Sequence, residues 1–249
     1  MNPWQLYDDL IKGIPETIIA TGCNTGHSWT SVTSDEGGMG LARTLHVVSM
    51  PPTYQGQIAG VPLKKIAELS KSWNFIEASI GVAAIGAYYN LPSRGKNCGI
   101  PCPGEDHQDA FKTYQKEVKG LKVVVVGHFP NLEKHLGPVC DMTIMERNPQ
   151  MGDIPDTACE YILGEQDYVF ITGLTLVNKT MPRLLALASK AKVVLVGPST
   201  IMAPMLFDHG VYGLSGLLVE DPDRCAQVLR EGNRKSLFDT GVMVNHIRP

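Results

Sequence analysis

Hydrophobic positions change their spacing twice along this 249-residue chain. At the start Trp4, Tyr7, Ile11 and Ile14 recur at helical intervals behind Asn2, which can cap, and Pro3, which suits a first helical position. From Thr17 to Ser49 short β-branched runs (17–21, 28–33 and 44–49) alternate with Gly and Asn clusters, which predicts a small antiparallel meander that Pro51 and Pro52 end. Helical spacing returns over Pro62–Lys71 and Phe75–Tyr89. The second helix is crowded with small residues, Gly81 and Gly86 among them. Glycine costs a helix interior up to about 1 kcal/mol, so two of them predict that something packs very close.

Leu91–Gly104 holds three prolines and three glycines and is the natural linker, followed by a helix over Glu105–Val118. Past Gly120 the pattern becomes strand, helix, strand. Apolar runs at Lys122–Val126, Met142–Met145, Tyr168–Thr172, Val193–Val196 and Val211–Val219 alternate with helical stretches near 131–135, 156–164, 178–190, 203–209 and 222–232. Uninterrupted valine runs fit strands buried on both faces. Strands spaced by helices imply right-handed βαβ units and a parallel sheet. The reading is α/β: a small α+β domain over 1–104, then a Rossmann-like parallel-sheet domain over 105–249.

Composition removes several classes of function. Hydrophobic residues are 43% and charged residues 19%, as in ordinary globular proteins. The formal net charge is −3, and Lys64-Lys65 and Arg234-Lys235 are the only adjacent basic pairs, so no nucleic-acid partner is expected. No apolar run approaches the ~18 residues of a membrane span, and Asp8 and Asp9 stand where a secretory signal would be basic and then apolar. Six scattered cysteines in a chain of this size read as reduced thiols of a cytoplasmic protein. A small-molecule ligand is the expected partner, and a homo-oligomer is compatible with this surface.

Ligands of open parallel sheets bind beyond the carboxyl ends of the strands. Here those ends read Gly127-His128-Phe129-Pro130, Glu146 with Asn148-Pro149 and Gly152-Asp153, Thr172-Gly173-Leu174-Thr175 with Asn178-Lys179-Thr180, and Gly197-Pro198-Ser199-Thr200. Glycine admits close approach, and short polar side chains offer hydrogen bonds without bulk. Turns favour the same residues, but four such ends in register point to a crevice. Glu146 stands 19 positions after Gly127, where nucleotide-binding folds keep an acid for ribose hydroxyls. The glycine fingerprint is incomplete, however, and His128 and Phe129 would crowd a pyrophosphate. That disfavours NAD and leaves S-adenosylmethionine open. Asp156 suits a helix cap. Asp153 could pair with Glu146 for acid–base or metal chemistry. Ser199 and Thr200 suit a cap or an anion site equally. Cys98 and Cys102, with Asp106 and His107 nearby, have a zinc-like spacing but lack a second pair. Serine-hydrolase elbows, HExxH and P-loop motifs are absent.

These four strand-end motifs, in this order, resemble the putative heavy-metal chelation family of unknown function, over nearly the whole chain. The resemblance implies an N-terminal domain similar to that of enolase, a Rossmann-like domain after it, and a site between them. It also implies metal handling through a pterin-, flavin- or siderophore-like metabolite, with a divalent heavy metal as the cofactor to consider. Carried onto this sequence, it places His128, Glu146 and Asp153 in proton transfer or metal binding. Gly127, Asn148, Thr172, Gly173, Thr175, Asn178, Ser199, Thr200 and Asn90 would hold the ligand, and the Ser34–Gly38 turn is a further candidate. A non-catalytic carrier or sensor of a metal chelate and an S-adenosylmethionine-dependent methyltransferase are the alternatives. The residues leave open whether a ligand is turned over.

Overall fold

Residues 2–47, 50–98, 100–101, 110–232 and 236–248 are described by the computed structural model. Helix α1 (Gln5–Lys12) buries Leu6, Tyr7, Leu10 and Ile11 on one face, and Asn2 Oδ1 accepts from Trp4 N just before it. The meander follows as β1 (Ala20–Thr25), β2 (Trp29–Ser34) and β3 (Met39–Arg43), antiparallel in that order. Its third strand differs from the run expected at 44–49. Met39–Arg43 is glycine-bearing and poor in β-branched residues, and packing selects it. Next come α2 (Leu63–Ala67), a 3₁₀ turn over Glu68–Lys71, and α3 (Phe75–Tyr89). Asn74 caps α3 by accepting from Ile76 N and Glu77 N.

The two glycines of α3 are explained by what lies on them. A Cβ at Gly81 would stand 1.9 Å from Ser70 N, and one at Gly86 would stand 3.2 Å from the Cα of Gly40 in β3. From the other side, a Cβ on Gly40 would stand 2.0 Å from the Ala83 carbonyl. Helix and strand therefore touch backbone to backbone, and a bulkier third strand would have pushed them apart.

The expected linker is ordered where it is described. It forms α4 (Pro92–Cys98) and a two-residue edge strand β4 (Ile100–Pro101). Proline suits both the start of a helix and an edge strand, because neither needs its N–H. Residues 102–109, with Cys102, Asp106 and His107, lie outside the described residues, as does the Cys98 side chain.

The second unit runs α5 (Ala110–Tyr114), β5 (Lys122–Val126), α6 (Leu132–His135), β6 (Asp141–Glu146), β7 (Ile154–Pro155), α7 (Cys159–Ile162), β8 (Tyr168–Thr172), α8 (Leu174–Val177), α9 (Met181–Leu187), β9 (Lys192–Val196), β10 (Val211–Val219), α10 (Pro222–Glu231) and β11 (Gly241–Ile247). The eight-stranded sheet has the order β4-β11-β10-β9-β8-β5-β6-β7. From β7 to β10 all pairings are parallel in the Rossmann order, and β11 runs antiparallel to β10. That antiparallel strand goes beyond the all-parallel expectation, as does α8, a short extra helix ahead of the one expected over 178–190, which is observed as α9.

Alternate valines of β5 enter different cores. Val124 and Val126 join the cluster holding α1 and α3. Val123 and Val125 join the one holding α5 and α10. The small unit thus shares a core with one face of the large sheet, and hydrogen bonds cross the seam. Tyr7 Oη donates to Leu176 O at 2.8 Å, and His209 Nε2 lies 2.9 Å from Asp9 Oδ2. Among the described residues no helix is long and apolar enough to cross a membrane.

Candidate functional site

Strand order reverses between β5 and β8, and sheets of this kind bind ligands outside the carboxyl ends at such a point. Gly127 ends β5 at φ +107° and Gly197 ends β9 at the same value, a region that strains any other residue. The half-buried ring of Phe129 lies against both glycines, 3.4 Å from where each Cβ would be. It forms a flat apolar wall across the strand ends.

His128 is fixed next to that wall. Its Nδ1 is 3.0 Å from each carboxylate oxygen of Asp153. A carboxylate there holds the proton on Nδ1 and leaves Nε2 as the exchangeable position, a tautomer assigned from these contacts. Asp153 is itself held by Gln150 N, which donates to Oδ2 at 2.9 Å, and its side chain is only 2% exposed. Burial pushes the Asp153 carboxyl up, but the Gln150 N–H and the His128 ring outweigh it and hold it below its ordinary 3.8. Nε2 faces Glu133 Oε1 at 3.3 Å, and Glu133 is mostly exposed.

Glu146 acts on the loops. Oε2 accepts from His128 N at 3.0 Å, and Oε1 accepts from Arg147 N at 2.7 Å and Asn148 N at 3.3 Å. The carboxylate therefore orients the chain that carries His128 and Asn148, and its oxygens are already engaged where a ribose would need them.

The other strand-end residues form a second group. A Cβ on Gly127 would stand 3.1 Å from the Thr172 methyl, and one on Gly173 would stand 2.7 Å from Ser199 O. Ser199 and Thr200 are buried, and Thr200 Oγ1 has no hydrogen-bond partner among the described residues. Thr172 Oγ1 accepts from Leu174 N, and Thr175 Oγ1 donates to Thr172 O at 2.7 Å. Asn178 Oδ1 accepts from Thr180 N and Oγ1 at the far end of α8. Asn90 locks the seam: Nδ2 donates to Thr200 O and Leu217 O, and Oδ1 accepts from Met202 N. In the Ser34–Gly38 turn, Ser34 Oγ accepts from Gly38 N. The structure thus gathers His128, Asp153, Glu146 and Asn148 in one cluster. Thr172, Gly173, Ser199 and Thr200 form the neighbouring one, and Thr175, Asn178 and Asn90 are spent on backbone.

Sequence reasoning did not reach Glu133, Phe129 or Gln150 as site residues. Glu133 had one legible signal, an acid in the first turn of the helix after the Gly127–Pro130 motif. The roles of Phe129 and Gln150 depend on contacts that no spacing shows. A cavity of about 460 Å³ lies elsewhere, between the β1–β2 hairpin and α10, with His27, Trp29, Val228, Leu229 and Arg230 in its walls. None of its lining residues comes from a strand end of the switch point.

The chain matches known proteins over both units. Residues 109–248 match a family model described as putative heavy-metal chelation, and residues 7–89 match a second model of the same description. This chain belongs to the putative heavy-metal chelation family. It is 31% identical to an uncharacterized protein of Methanocaldococcus jannaschii over 185 residues, 71% of this chain and 68% of that protein. A crystal structure of a family member of unknown function from Desulfitobacterium hafniense matches with TM-score 0.89 and 41% identity, over 98% of each chain. One from Pyrococcus horikoshii matches with TM-score 0.84 and 21% identity over the full length of both, which bears on the fold alone.

The family description invites a test against the donor set. Among the described residues no three His, Cys, Asp or Glu side chains gather as metal ligands. His128 Nε2 and Glu133 offer two donors, whereas zinc sites use three or four protein ligands. Asp153 and Glu146 are spent on His128 and on backbone N–H groups. These residues do not fit a self-contained heavy-metal site.

Proposed function

We propose that this protein binds a small flat metabolite, of pterin, flavin or siderophore-fragment type, over the strand ends, in the handling of a metal that arrives as a chelate. His128 Nε2 exchanges a proton with the bound molecule. The carrying observation is the symmetric grip of both Asp153 oxygens on Nδ1. A buried carboxylate that fixes one imidazole nitrogen leaves the other with a defined role. Phe129, which Gly127 and Gly197 let settle on the strand ends, supplies a face for a ring.

A thermal-shift series with pterins, flavins, siderophore fragments, S-adenosylmethionine and divalent metals tests this. A ligand at 100 times its Kd stabilises by about 2.7 kcal/mol, which for this length is a rise of roughly 5–11 °C in Tm. The expected result is a shift by an organic ligand that disappears in His128→Ala. Shifts by bare metals alone that persist in both His128→Ala and Glu133→Gln would remove the proposal.

A second reading, binding without turnover, draws on the threonines. The hydroxyls of Thr172 and Thr175 are committed to local backbone groups, and no covalent step is assigned to them. Mass spectrometry of the ligand after incubation separates the two readings, since any conversion excludes a pure carrier.

The dyad also predicts an acid dependence. The Asp153 carboxyl is depressed in the folded state, so its stabilising contribution is present above its ordinary value and is lost as pH falls through the folded value. Asp153→Asn should lose about 1–3 kcal/mol at pH 7, the usual value of hydrogen bonds to a charged group. It should also lose part of the wild-type decline in stability below about pH 4. Urea denaturation at pH 7 and pH 3 reads both. Equal losses at the two pH values would contradict the assigned role.

A further inference from the structure

Lys179 stands apart from the strand-end site. It separates α8 from α9 in left-handed backbone, φ +66°, a conformation that side chains other than glycine rarely adopt. The side chain folds back so that Nζ donates to Val177 O at 3.0 Å. The amine then lies 5.8 Å from the centroid of Trp73 and 5.6 Å from that of Phe75, two rings carried by the small unit. Among the described residues no carboxylate pairs with it. The charged groups beside those rings are engaged elsewhere: Lys71 with Asp8 and Glu68, and Glu77 with Thr53, Tyr54 and Ser72. Burial pushes the amine down from 10.5 to about 8. At pH 7.4 roughly a fifth of such amines are unprotonated, against about one in a thousand for an ordinary lysine. Trp73 is 56% exposed, so an incoming ring has a face to stack on beside the amine.

We propose that Lys179 is a nucleophilic amine that condenses with an aromatic aldehyde at the seam between the two units. The Nζ lone pair attacks the carbonyl carbon, a proton moves from nitrogen to oxygen, and the carbinolamine loses water to leave a C=N bond. No electrons are gained or lost, and water is the only other product. Desolvation is an established way of activating a lysine for this chemistry. The site is independent of His128.

The full chain would be treated with limiting pyridoxal at pH 7.4 and trapped with cyanoborohydride, and the secondary amines mapped by peptide mass spectrometry. Lys179 should be labelled at least about tenfold faster than the median lysine, because its free-amine fraction is about two orders of magnitude larger. Its labelling rate should level off near pH 8, where exposed lysines are still rising. Trp73→Ala should bring the rate down toward the median. Lys179→Arg should abolish the fast adduct with an unchanged amide spectrum. Labelling no faster than the median lysine would overturn the proposal, and so would an excess that Trp73→Ala leaves untouched.

Discussion

Gly40→Ala is expected to destabilise the protein by about 3 kcal/mol or more, at or beyond the upper end of ordinary overpacking. The added Cβ would stand 2.0 Å from Ala83 O, 2.2 Å from Ala87 N and 2.5 Å from Gly86 C. All three are backbone atoms of α3, so no side chain can rotate away. Relief requires β3 and α3 to separate, and α3 also carries the seam at its end. For a chain of this length the loss corresponds to roughly 6–12 °C or more in Tm. Gly37→Ala is the control, because Gly37 has φ +81° and nothing within 4 Å of its would-be Cβ. It should cost only about 1–2 kcal/mol, for left-handed backbone. Urea denaturation of the two variants decides the matter. A Gly40→Ala protein within 1 kcal/mol of wild type, or no worse than Gly37→Ala, would show that the close contact is not a constraint.

Asn90→Leu should cost about 2–4 kcal/mol, because replacing a buried polar clamp with an apolar side chain leaves its partners without hydrogen bonds. The side chain is 3% exposed and makes three bonds into the second unit: 2.8 Å to Thr200 O, 3.1 Å to Leu217 O and 2.9 Å from Met202 N. Leucine has a similar size, so lost volume is not the cause. The specific reading is hydrogen exchange at the Met202 amide, which should lose its protection, while the amides of β5 and β8 keep theirs at matched residual stability. Unaltered exchange at Met202 would mean that the clamp is dispensable. The same variant separates two roles for Asn90, which was a ligand-binding candidate. If ligand shifts survive the substitution, the residue serves the seam.

The Rossmann-like half was legible because its signals are local. Five apolar runs fall in the observed strands, and the ends of Lys122–Val126, Tyr168–Thr172 and Val211–Val219 agree to the residue. Each of these strands is buried on both faces, so its apolar run needs no partner to be recognised. The glycines of α3 announced a close contact, which was found with Ser70 and Gly40. Strand β3 was misplaced for a related reason: Met39-Gly40-Leu41-Ala42-Arg43 has little strand propensity, and what holds it there is the helix lying on Gly40. Strands β4 and β11, at one side of the sheet, were missed because what makes them strands is pairing with partners elsewhere in the chain. Ile100–Pro101 pairs with Val244 and Asn245, well over a hundred residues away.

The strand-end chemistry divides in the same way. Amino-acid sequence alone determined that His128, Glu146, Asp153, Thr172 and Ser199 belong to strand ends, because strand and turn propensities act within a few residues. Only the tertiary structure decided which of them meet. Asp153 reaches His128 across 25 positions of chain because β6 lies beside β5 and β7 beside β6. Glu146 turned out to hold loops, and Asn90 to hold the seam, because the half-buried carboxylate and the buried amide spend their bonds on whatever polar groups surround them. Lys179 is the clearest case. It stands in the Asn178-Lys179-Thr180 motif, where Asn178 was the ligand-binding candidate, and nothing in the sequence around it shows that Trp73 and Phe75 of the other unit would lie beside its amine.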